Sequence, residues 1–254
     1  PTDSPLGHYQ HALTHKGFRP DPAQHRAVLA LDACHRALHD GGPRPRGVYL
    51  WGPVGRGKTW LMDLFFESLP FRRKMRLHFH HFMQRVHRDL NALKGQRDPL
   101  EKVADGIVHD AMVICFDEFF VSNVTDAMIL GDLFRMLFER SITLVATSNI
   151  APDGLYKNGI HRDRFLPAIA ALKQHVTVLN VDAGIDYRLR VLKQADLYHA
   201  PLSDDAQNWM ARRFAALPTA ARRELRRRWW EGRGIGLRWG HRRHRAAAGV
   251  CGRM

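Results

Sequence analysis

One stretch limits what this chain can fold into. Residues 46–66 read Arg-Gly-Val-Tyr-Leu-Trp-Gly-Pro-Val-Gly-Arg-Gly-Lys-Thr-Trp-Leu-Met-Asp-Leu-Phe-Phe, and Gly52 to Thr59 fit the spacing G-x-x-x-x-G-K-[ST]. Val48 to Trp51 is a short apolar, β-prone run, whereas Trp60, Leu61, Leu64 and Phe65 recur at helical spacing; strand, loop and helix are therefore predicted in succession. Gly52, Gly55 and Gly57 let the backbone turn so that its N–H groups face a common anion, and the helix N-terminus adds partial positive charge at the same place. This is the phosphate-binding loop of nucleoside triphosphatases. Gly52, Pro53, Val54, Gly55, Arg56, Gly57, Lys58 and Thr59 form the candidate nucleotide site. Lys58 would reach the β- and γ-phosphates, and the Thr59 hydroxyl would ligate Mg²⁺.

A second stretch supplies acid. Ala111 to Phe116 is six apolar residues in a row, which predicts a strand buried on both faces, as in a parallel sheet. It ends in Asp117 and Glu118, at the edge where such sheets bind ligands. Downstream of a phosphate loop this has the form of a Walker B element, in which Asp117 would hold Mg²⁺ and Glu118 would polarise the attacking water. Residues 141–148 predict another buried strand, and Asn149 at its end is placed to orient the lytic water. Further strands are predicted at 75–79 and 176–181.

Helices are predicted at 21–38, with Asp21 as cap and Pro22 at the first position, and at 82–93, 99–108 and 126–140. Residues 1–20, with Pro1, Pro5, Gly7, Gly17 and Pro20, read as loop. Residues 159–167 read as a turn after a short helical segment. Its Arg162 and Arg164 are either surface charges or groups aimed across a subunit interface at a neighbour's γ-phosphate.

At 254 residues the chain suffices for one α/β core and part of a second domain. Its net charge of +14 invites a nucleic-acid reading, yet residues 221–254, with eleven Arg and two Glu, carry +9 of it. Cys34, Cys115 and Cys251 form neither a metal spacing nor a disulfide framework, which suits a reducing cytosol. His78, His80, His81 and His87 crowd one stretch, but no Cys or carboxylate completes a ligand set, so structural polar contacts are expected of them. No run of about eighteen apolar residues predicts a membrane span, and the first residues show no signal pattern.

Several longer strings resemble the ZapE family of bacterial cell-division AAA+ ATPases, which has mitochondrial relatives. They are Gly-Val-Tyr-Leu-Trp-Gly at 47–52, Gly-Arg-Gly-Lys-Thr-Trp-Leu-Met-Asp at 55–63, Leu-His-Phe-His at 77–80 and Cys-Phe-Asp-Glu-Phe-Phe-Val-Ser at 115–122. Thr-Leu-Val-Ala-Thr-Ser-Asn at 143–149, Arg-Phe-Leu-Pro at 164–167 and Val-Asp-Ala-Gly at 181–184 continue the likeness, which covers about residues 5–217. The resemblance implies an α/β fold: a P-loop NTPase AAA+ three-layer α/β/α core with a mostly parallel sheet. It implies ATP and Mg²⁺ as cofactors, a homo-oligomer, and remodelling of a protein partner, FtsZ, in the bacterial cytoplasm. Residue by residue it makes Gly52 to Thr59 the ATP site, Asp117 and Glu118 the Walker B pair, Asn149 the sensor, and Arg162 or Arg164 the arginine finger.

Two departures stand out. Pro53 stands where the family usually has Gly. After Ala221 the strings resemble nothing in the family, so the helical lid is expected to be largely missing. The domains expected are an N-terminal loop and helix at 1–45, the ATPase core at 46–184, the start of a linker or helical region at 185–220, and a disordered Arg/Trp tail at 221–254. A frameshifted or truncated gene accounts for such a tail; the alternative is a segment that grips nucleic-acid phosphates and stacks on bases. Rival readings of the whole are a nucleic-acid-associated ATPase such as a helicase loader, or a nucleotide-binding fragment without turnover.

Overall fold

In the computed structural model, the residues described are 3–15, 20–41 and 44–182. They contain five strands, β1 Gly47–Trp51, β2 Lys74–His78, β3 Val113–Asp117, β4 Thr143–Ser148 and β5 Val176–Asn180. Seven α-helices accompany them: α1 Pro5–His15, α2 Pro22–His39, α3 Lys58–Ser68, α4 Phe79–Ala92, α5 Pro99–Asp110, α6 Val124–Glu139 and α7 Arg162–His175. The strands form one parallel sheet in the order β2-β3-β4-β1-β5.

Side chains alternate across the strands, and the alternation assigns the helices to layers. Val48, Leu50, Val113, Cys115 and Val145 face one side and pack with Leu31 of α2, Leu61 and Phe65 of α3 and Tyr9 of α1. Tyr49, Ile114, Phe116, Leu144 and Ala146 face the other, against Phe82 of α4, Ile107 of α5, Phe134 of α6 and Phe165 of α7. The result is the expected three-layer α/β/α core. Burial pushes the Cys34 thiol up to about 12 and raises that of Cys115 as well, so both behave as small apolar side chains.

Most elements lie where the sequence puts them. Asp21 caps α2 by accepting from the N–H groups of Ala23 and Gln24 at 2.8 and 3.2 Å. Helix α4 starts three residues before the predicted Phe82, because Phe79 belongs to the core, packed on Phe116 and Phe119.

Two expectations fail. Residues 5–15, read as loop, are helix α1. Ser4 caps it through a bond from the Gly7 N–H to Ser4 Oγ, Pro5 occupies its first position, and buried Tyr9 rests on Trp60 and His25. The turn expected at 159–167 ends at His161, after which α7 runs for four turns. Phe165, Ala168, Ile169 and Leu172 form its buried stripe; Pro167, at the sixth position, has no N–H to give the Asp163 carbonyl, and the helix continues past it to His175. The expectations for residues 183–254, lid and tail included, concern a stretch outside the described residues.

Asp21→Ala should lower stability by about 1 kcal/mol, the usual cost of losing an N-cap, seen as a drop in Tm of roughly 2–4 °C in thermal unfolding followed by circular dichroism.

Candidate functional site

Because every strand runs the same way, the C-terminal ends of β1, β3 and β4 share one edge of the sheet. β1 lies beside β4, while the chain leaving β1 crosses to the far edge through α3 and that leaving β3 returns through α6 on the opposite face. Such a reversal opens a crevice where ligands of open α/β sheets bind.

The glycine loop occupies that crevice. Gly55 and Gly57 both have φ of +81°, where an L side chain is strained, and α3 starts immediately after at Lys58. A Cβ on Gly57 would also come within 2.6 Å of Gln24 Nε2, which donates to the Arg56 carbonyl at 2.9 Å. Arg56 reaches the other way to Asp182 at 2.9 Å. The Gly52 N–H donates to the Ser148 carbonyl, and the Val181 N–H donates to the Trp51 carbonyl. The loop is thus shaped by contacts with β4, α2 and the two residues that follow β5.

Lys58 is buried, and its ammonium donates to the carbonyls of Gly52 and Pro53, both at 2.7 Å, and to Asn149 Oδ1 at 3.1 Å. The last bond joins the loop to the residue expected to orient water. Thr59 is exposed at the first turn of α3, as is the loop apex at Pro53 and Val54.

Asp117 ends β3 with its carboxylate largely covered. Glu118 then turns the chain in the left-handed region, φ +54°, a conformation costing a non-glycine residue about 1–2 kcal/mol. Its N–H donates to Thr147 Oγ1 at 3.2 Å, the Phe119 N–H donates to the Thr147 carbonyl at 2.7 Å, and Ser148 Oγ donates to the Phe119 carbonyl at 2.8 Å. Phe119 is drawn into the core against Tyr49 and Phe79. The backbone reversal leaves the Glu118 side chain 79% exposed, its Oε2 3.9 Å from His78 Nδ1.

The two arginines lie apart from this cluster. Arg162 donates to the Asp153 carbonyl at 2.7 Å. Arg164 is exposed and lines a hollow of about 520 Å³ with Met128, Gly131, Asp132 and Arg135 between α6 and α7. Among the described residues no group of His, Cys, Asp and Glu is arranged to hold a metal ion. His87 bonds Asp126 at 2.6 Å, a polar contact of the kind expected for that stretch.

Four contributors escape sequence reasoning: Thr147, Gln24, Asp63 and Arg76. Arg76 of β2 puts Nε 2.8 Å from Asp117 Oδ2 and Nη1 2.5 Å from Asp63 Oδ1 of α3. Arg76 sits mid-strand opposite Cys115, two residues before Asp117, a relation set by the β2–β3 register that no local sequence signal marks.

Comparison with known proteins places the molecule. Residues 3–243 match the family model described as AFG1-like ATPase. The chain belongs to that family. The match runs past residue 217, where the string-by-string resemblance stops. The chain is 51% identical over 239 residues to the Escherichia coli cell division protein ZapE, covering 84% of this chain and 64% of that one. It thus spans less than two thirds of that relative's length. It is 44% identical over 176 residues to lactation elevated protein 1 homolog B of Danio rerio, covering 65% of this chain and 35% of that one. In fold it is similar to AMPPCP-bound DnaA from Aquifex aeolicus, with a TM-score of 0.50 at 15% identity over 76% of this chain and 54% of that one. The AFG1-like core is a P-loop AAA+ fold.

Replacing Glu118 tests the backbone strain. Glu118→Gly should be more stable than Glu118→Ala by about 1 kcal/mol, because only glycine relieves the positive φ; paired thermal or urea unfolding curves measure the difference.

Proposed function

We propose that the chain binds Mg²⁺–ATP in the Gly52–Thr59 loop and hydrolyses it, coupling turnover to the remodelling of a protein partner. The observation that carries this reading is the bond from Lys58 Nζ to Asn149 Oδ1, which links the phosphate loop to the end of β4 beside Asp117 and Glu118. The donor set suits the ligands. Glycine N–H groups and an ammonium match phosphate oxygens, and the Thr59 hydroxyl with the Asp117 carboxylate offers the hard oxygens that Mg²⁺ requires. Bound there, Mg²⁺ would neutralise charge on the β- and γ-phosphates.

The chain's own residues then divide the work. Lys58 gives up loop carbonyls for phosphate oxygens and keeps the developing charge compensated. Glu118, exposed on its left-handed turn, accepts hydrogen bonds from the attacking water and orients it. Asn149 fixes the loop against the water-bearing side of the crevice. Arg162 and Arg164, both away from this chain's own loop, suit a role towards a second copy, where one would act as the arginine finger. That role makes the working unit a homo-oligomer.

Similarity to a cell division protein supports a partner in bacterial division, and FtsZ in the cytoplasm is the partner proposed. No helix among the described residues is long and apolar enough to cross a membrane.

Phosphate release and binding of a fluorescent ATP analogue test the assignment together. Lys58→Ala should weaken binding by at least about tenfold, the worth of a charge-assisted hydrogen bond. Glu118→Gln should bind as the wild type does and release no phosphate. Wild-type turnover in Glu118→Gln would remove the glutamate from its role, and turnover stimulated by DNA rather than by FtsZ would favour a nucleic-acid-associated ATPase.

A further inference from the structure

Among the described residues, Arg76 is the one cation bonded to the proposed metal-binding carboxylate of Asp117. Its side chain is 20% exposed, lies beneath α3, and places its Cζ 6.0 Å from the Phe66 ring. The guanidinium grips Asp117 through Nε and Nη2, at 2.8 and 3.4 Å, while Nη1 holds Asp63. Asp63 lies one helical turn after Thr59, on the same side of α3. The proposed cation ligands Thr59 and Asp117 are thereby flanked by an acid–arginine pair that bridges α3, β2 and β3. Two carboxylates and one guanidinium leave this corner one negative charge, where without the arginine it would have two.

We propose that Arg76 is a positioning residue that holds the Asp117 carboxylate and weakens its pull on a free divalent cation, with Asp63 as the acid that retains the guanidinium when Asp117 turns to a metal. The proposal rests on the Mg²⁺–ATP reading of the site. A guanidinium is a fixed charge of one unit with donors in a planar fork, so it orients the carboxylate without the octahedral demands of Mg²⁺. While it is there, a free divalent cation meets a half-neutralised ligand and binds poorly. Where a triphosphate offsets the charge of the cation, Arg76 would release Asp117 through Nε and Nη2 while its Nη1 stays on Asp63. The metal is therefore admitted with its nucleotide and refused alone.

Binding of Mn²⁺ alone to the full chain, measured by the loss of its free-ion electron paramagnetic resonance signal, reads this directly. Arg76→Gln should bind Mn²⁺ at least about tenfold more tightly than the wild type, since a unit charge a few ångströms from the ion is removed. The Arg76→Gln/Asp63→Asn double variant should return towards the wild-type value. A purely structural role for Arg76 predicts unchanged or weaker Mn²⁺ binding, and that result would overturn the proposal.

Asp63→Asn provides the second arm and does not depend on Arg76→Gln folding. With Asp63 neutral, the guanidinium has Asp117 as its one acidic partner in this corner and should yield it less readily. The Mg²⁺ concentration for half-maximal binding of a fluorescent ATP analogue should then rise by at least about threefold; an unchanged midpoint counts against the hand-over. A wild-type chain that binds no Mg²⁺–ATP analogue at all overturns the underlying site reading. Unchanged Mn²⁺ affinity in Arg76→Gln, when the wild type does bind the analogue, overturns only the role of Arg76.

Discussion

The end of β4 is bonded to both halves of the site, and the geometry of each half depends on it. Thr147 accepts from the Glu118 N–H through its hydroxyl and from the Phe119 N–H through its carbonyl, while Ser148 donates to the Phe119 carbonyl and accepts, through its own, from Gly52. Asn149 then accepts from Lys58. Three successive residues therefore hold the acidic turn on one side and the glycine loop on the other. Parallel pairing makes this arrangement available, because it brings the ends of neighbouring strands to one edge with their carbonyls and side chains facing the same crevice.

What the sequence reveals follows from how far apart the interacting residues are. Gly52 to Thr59 is legible because the glycines, lysine and hydroxyl act within eight consecutive residues, and a strand and a helix with distinct periods frame them. The all-apolar run before Asp117 is legible for a similar reason, since a strand covered on both faces admits few polar residues. Helix α1 is not legible. Its apolar stripe is short and interrupted by Gly7 and several histidines, and it is held by distant groups such as Asp32, which accepts from the Leu6 N–H. Helix α7 carries a regular stripe, but Gly159 and Pro167 read more strongly as turn signals.

Arg76 illustrates the harder limit. Within Lys74–His78 it looks like one of several cations on an edge strand, and its two acids stand thirteen positions upstream and forty-one downstream. Only the register of β2 against β3 and the placement of α3 over both bring these charges together. Position within a strand could be read from local pattern; electrostatic partnership could not.

The outer strand β5 leads directly into the residues that border the phosphate loop. Val181 donates to the carbonyl of Trp51, and Asp182 pairs with Arg56 at the centre of the loop. Residues 181 and 182 thus carry a hydrogen bond and an ion pair that both shape the anion cradle, so a displacement at the end of β5 and a change in phosphate occupancy would act on the same few atoms.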